Sequence, residues 1–74
     1  MRILITGANG YLGARLCQFL GNQGHDIIAT CKTPEPYTVG WTDKIKKIII
    51  GDLTLDETIN RLTETKPEII IHLV

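Results

Sequence analysis

The chain has 74 residues, 43% of them hydrophobic, and eight basic side chains balance eight acidic ones to a formal net charge of zero. That length holds at most one small domain, and the charge balance argues against a broad nucleic-acid footprint or a polybasic membrane patch. No apolar run approaches the roughly 20 residues of a membrane-spanning helix, and no signal peptide is visible, because Gly7 breaks the first apolar run within a few residues.

Taken in chain order, the elements alternate in type. Arg2 to Thr6 is an unbroken aliphatic run bounded by Gly7, the pattern of a buried strand. From Tyr11 to about Gln23, Leu12, Leu16, Phe19 and Leu20 recur with helical spacing, and Gly24 stands where a C-terminal cap belongs. "DIIATC", Asp26 to Cys31, reads as a second strand. Pro34, Pro36 and Gly40 make the next stretch irregular, with Tyr37 and Trp41 available to cover an open face of the sheet. "KIIIGDL" supplies a third strand ending at Gly51, with Lys44, Lys46 and Lys47 as its solvated edge. "TLDE", Thr54 to Glu57, has the form of a capping box, and Leu55, Ile59 and Leu62 continue with helical spacing until Pro67. "EIIIHLV" is the fourth strand. Strands this apolar need cover on both faces, as a parallel sheet with crossover connections provides. The expected order is three, two, one, four, the first half of a doubly wound α/β fold.

Gly7, Gly10 and Gly13 fall in the bend from the first strand into the first helix. A helix N-terminus carries unpaired backbone N–H groups and a partial positive charge, so it suits a phosphate that can come close. Glycine permits that approach: it accepts a left-handed turn and has no β-carbon in the way. The third glycine lets the helix pack tightly against the strands. A P-loop is excluded, because Gly13 is followed by Ala14 and Arg15 rather than Lys and Ser or Thr.

The spacing is "TGANGYLG", T-G-x-x-G-x-x-G. It resembles the start of an extended short-chain dehydrogenase/reductase, and more narrowly the NAD(P)-dependent epimerase/dehydratase family. "GDL", Gly51 to Leu53, and "IIIHLV", Ile69 to Val74, add to the likeness, although Val74 stands where the family usually has alanine. The resemblance implies a Rossmann-type fold and a dinucleotide cofactor held by Gly7, Gly10 and Gly13. It also implies an adenine contact at Asp52 and Leu53, and an enzyme acting on nucleotide sugars or similar carbonyl or hydroxyl substrates. Asp52 has a competing structural role as acceptor for loop N–H groups. Tyr11 and Leu12 border the phosphate bend, Tyr11 either against the cofactor or as a staple at the helix start.

Where an NAD site would end its second strand on an acidic residue, this chain has Cys31 followed by Lys32. An ammonium attracts a 2′-phosphate, so the cofactor reads as NADP or NAD with NADP favoured. Thr30 and Thr33 offer neutral hydroxyls to either ribose. The family's Tyr-x-x-x-Lys pair is missing: Arg15 follows Tyr11 at that spacing and Trp41 follows Tyr37, and the chain contains no serine. Residues 1–74 therefore read as an N-terminal cofactor-binding segment of a longer enzyme, with no catalytic residue and no metal site of its own. A non-catalytic dinucleotide-binding regulator, or a structural subunit that self-associates through an exposed fourth strand, are the other readings. Cys17 and Cys31 read as buried reduced thiols, which points to the cytoplasm, and His72 as a packed, hydrogen-bonded histidine in a central strand.

Overall fold

The computed structural model describes residues 1–33 and 44–73; the expectations placed on Pro34, Pro36, Tyr37, Gly40, Trp41 and Val74 lie outside the described residues. The elements are β1 (Arg2–Thr6), α1 (Tyr11–Asn22), β2 (Asp26–Cys31), β3 (Ile45–Ile50), α2 (Asp56–Thr63) and β4 (Ile69–His72). All strand pairs are parallel and their order is β3-β2-β1-β4, as the alternation of apolar runs and helical patterns requires. This is a Rossmann-like α/β fold.

Residues paired across parallel strands share a face, which divides the aliphatic side chains into two layers. Ile3, Ile5, Ile27 and Ala29 meet Ala14 and Cys17 of α1, while Leu4, Ile28 and Ile49 meet Leu62 of α2. A register shift between Ile27 and Ile28 leaves Lys46 without a partner on β2. It places Ile45 beside Ile27 and sends Lys47 to the other face, so that Lys46 and Lys47 stay exposed. Lys46 meets Asp26 at 3.5 Å, so the lysine cluster is a solvated strand edge.

The inner face of α1 differs from the apolar stripe in the sequence. Gly13, Ala14 and Cys17 are its buried residues, Leu16 and Leu20 are half-buried, and Leu12 and Phe19 are exposed. The cause is proximity. A Cβ on Gly13 would overlap the Gly7 carbonyl oxygen and lie 2.8 Å from Ala8 Cα, so the helix sits too close to the strand for large side chains between them. Its end is as expected, with the Gly24 N–H donating to the Gly21 carbonyl at 3.1 Å.

The capping box at α2 does not form. Leu55 occupies the cap position with no side-chain bond, and the helix starts at Asp56. Thr54 turns instead to Asp52, and Asp56 and Glu57 supply negative charge to the first turn. The helix also stops before Pro67: the Thr65 hydroxyl donates to the Leu62 carbonyl at 2.6 Å, and Lys66 turns the chain with φ 50°.

Arg2 fastens the entry to β4, its backbone exchanging bonds with Glu68 and its guanidinium donating to the Thr65 carbonyl at 2.8 Å. In this four-stranded sheet β4 is an edge, which alters the environment of His72. Its ring is exposed rather than packed, although Nδ1 lies 2.8 Å from Thr6 Oγ1. The same hydroxyl oxygen accepts the Leu73 N–H at 2.9 Å.

Candidate functional site

At the carboxyl end of β1 the chain must reverse into α1 within a few residues. Gly7 does this at φ 63°, a left-handed conformation that side chains rarely adopt. The bend is tied internally by the Gly10 N–H donating to Gly7 O at 3.1 Å, and to β2 by the Ala8 N–H donating to Thr30 O at 3.2 Å. The Asn9 amide adds a bond to Thr33 O at 3.0 Å. Gly10 is the N-cap of α1, in extended conformation and with no side chain to cap the first N–H groups. The first turn carries no acidic residue. In α2, by contrast, Asp56 and Glu57 occupy that turn. One helix is self-compensated at its positive end and the other leaves that end open to an anion.

Tyr11 and Leu12 flank the opening and are 54% and 56% exposed. Tyr11 is the first helical residue, so it is not a staple; the Arg15 guanidinium lies 4.4 Å above its ring.

Beside the bend, a cleft of about 240 Å³ is lined by Gly7, Thr30, Lys32, Asp52, Leu53 and Thr54 among others. The fold thus gathers four of the sequence-selected residues (Gly7, Lys32, Asp52, Leu53) in one cleft, with Gly10, Tyr11, Leu12 and Gly13 at the adjoining helix start. Asp52 Oδ1 accepts both the Thr54 N–H at 2.9 Å and the Thr54 hydroxyl at 2.8 Å, the structural role weighed for it from sequence. Asp52 Oδ2 lies 3.8 Å from Lys32 Nζ. The Thr54 bonds, and secondarily Lys32, hold the Asp52 carboxyl below its usual range. The Thr30 hydroxyl is buried in the same neighbourhood without a hydrogen-bond partner. Leu53 leans on the α2-side core.

Two participants are absent from the sequence reading of this site, Asn9 and Thr54. The Asp-x-Thr spacing is itself a signal for the second, since an Asp side chain readily accepts the N–H two residues on. A second cleft, about 490 Å³ and mostly apolar, opens between α2 and β4 and includes Leu4, Ile59, Ile70 and His72. Cys17 and Cys31 are buried free thiols. Burial, with a smaller contribution from Cys31, pushes Cys17 up to about 11, and burial also raises Cys31. No cluster of potential metal ligands occurs among the described residues, and no helix among them is long and apolar enough to cross a membrane.

The chain is similar to known proteins in sequence and in fold. The chain is similar to the epimerase family protein SDR39U1 of Bos taurus, 35% identical over 43 residues, which is 58% of this chain and 15% of that protein. It is 31% identical over 74 residues to the uncharacterized protein YLL056C of Saccharomyces cerevisiae, covering 99% of this chain and 24% of the yeast protein. The chain therefore matches only about a seventh to a quarter of the length of these relatives. Among solved structures, a Burkholderia cenocepacia J2315 protein described as a candidate epimerase superposes with a TM-score of 0.82 at 24% identity, over 99% of this chain and 24% of that one. A family model matches residues 3–74. By that match, the chain belongs to the NAD dependent epimerase/dehydratase family.

Proposed function

We propose that this chain binds a nicotinamide dinucleotide, with the pyrophosphate over the Gly7–Gly13 bend and the adenosine end in the cleft between Lys32 and Asp52. One observation carries the reading: α1 begins at a bend too tight for a β-carbon on Gly13, with no capping side chain and no acid in its first turn. Such a terminus offers N–H groups and positive potential to an anion at short range. Gly7, Gly10 and Gly13 make the cradle, Tyr11 and Leu12 its outer wall, and Leu53 an apolar surface for the base. The orphaned Thr30 hydroxyl suits a ribose hydroxyl, and Lys32 favours NADP over NAD.

The cofactor would supply hydride transfer for oxidation, epimerisation, dehydration or reduction of a nucleotide-linked sugar or a similar carbonyl or hydroxyl substrate. These residues hold and orient it. They include no Tyr-x-x-x-Lys pair, so none of them is assigned the proton transfer. The buried unpaired thiols accord with a reducing compartment, and the cytoplasm is the proposed location.

Gly10→Asp tests the site. Aspartate is a favourable N-cap residue whose carboxylate takes the N–H groups and repels phosphate; a Cβ at Gly10 lies 3.3 Å from Gly7 O, so the fold of the variant is checked by circular dichroism first. Calorimetric titration with NADPH and NADH is expected to show binding by the intact protein and none by the variant. Equal binding by the two proteins, or no binding by folded wild type, would overturn the reading.

A further inference from the structure

Lys32 does not present a free positive charge. Its Nζ is 3.8 Å from Asp52 Oδ2, and the carboxylate is fixed from behind by the two Thr54 bonds to Oδ1. The ammonium is the more exposed partner, its side chain 77% exposed against 36% for Asp52. The two charges stand on the rim of one cleft and offset each other.

We propose that the Lys32–Asp52 ion pair sets the preference between adenosine groups that carry a 2′-phosphate and those that do not. This rests on the cofactor reading of the cleft. A ribose without phosphate leaves the pair intact. A 2′-phosphate draws Lys32 away from Asp52 and lies near a carboxylate that repels it. Asp52 is thereby a specificity residue acting against the phosphorylated cofactor, and Lys32 acts in its favour. The chain keeps access to both, with the selectivity of Lys32 blunted by its neighbour.

The probes are adenosine 2′,5′-bisphosphate and adenosine 5′-monophosphate, which isolate the adenosine end, titrated calorimetrically into the intact protein. Asp52→Asn keeps an oxygen for Thr54 and removes the charge. The affinity ratio of bisphosphate to monophosphate is expected to rise about fivefold, the scale of a solvent-exposed ion pair. Lys32→Gln lowers the ratio, and in the double variant the gain from Asp52→Asn shrinks to the part due to direct repulsion of the phosphate. Raising salt narrows these differences. If both probes bind wild type and the ratio is unmoved by Asp52→Asn, the ion-pair proposal falls while the cofactor reading stands. If folded wild type binds neither probe nor either dinucleotide, both fall.

Discussion

Gly13 and Cys17 are neighbours on the inner face of α1, and each makes a sharp demand on substitution. A methyl group on Gly13 meets backbone atoms of Gly7 and Ala8, which cannot rotate away as a side-chain tip can. Gly13→Ala is expected to cost about 3 kcal/mol, the upper range for overpacking, and urea titration followed by circular dichroism measures it. In a chain this short that leaves little net stability. Cys17 makes a pH-dependent demand. Burial pushes its thiol up to about 11 in the folded chain, from an ordinary value of 9.0, so the unfolded chain releases its proton first as pH rises. The contribution of Cys17 to stability is expected to be complete below pH 9 and to decline toward pH 11, by on the order of 2 kcal/mol. Cys17→Ala should flatten that alkaline decline in a pH series of thermal melts. The glycine spacing was legible in the sequence because each glycine answers a local backbone requirement. The Lys32–Asp52 pair was not, because it exists only once β2 and β3 lie side by side.

Among the elements, the helices diverge from their sequence signals for separate reasons. The stripe Leu12, Leu16, Phe19 and Leu20 has correct periodicity for α1, but the close approach at Gly13 turns the small residues Ala14 and Cys17 inward. Periodicity reports that a helix exists more reliably than which residues face the sheet. At α2 two local motifs compete for Thr54, and its bonds to Asp52 displace the capping box. Glu57 consequently contributes charge near the N-terminus rather than a reciprocal cap. Glu57→Gln is therefore expected to change stability by less than about 0.5 kcal/mol in chemical denaturation, where loss of a formed capping box would cost about 1 kcal/mol.

For the molecule as a whole, the strand order followed from aliphatic runs that demand cover on both faces, and the sheet obeys it. That cover is thinnest at β4, the strand whose exposure the sequence already suggested. Ile69 and Ile70 of β4 are 41% and 61% exposed, and the apolar cleft of about 490 Å³ lies beside them. An edge strand of this character is a template for further pairing. The 74-residue chain by itself is expected to self-associate with rising concentration in sedimentation velocity, and Ile70→Lys is expected to shift it toward monomer. A concentration-independent monomer would contradict that expectation.

The 3.1 Å bond from Gly10 N–H to Gly7 O also governs how the protein ages. Asn followed by Gly is the dipeptide most open to succinimide formation, in which the glycine nitrogen attacks the asparagine side-chain carbon and ammonia departs. Here that nitrogen is directed at Gly7 O, while the Asn9 amide is engaged with Thr33 O. The native bend thus shields its own weakest chemical link. Unfolding removes the shield, and hydrolysis of the imide then leaves a carboxylate where a diphosphate would rest. Incubation in denaturant, followed by peptide mass spectrometry, should show deamidation at Asn9 well ahead of the folded control.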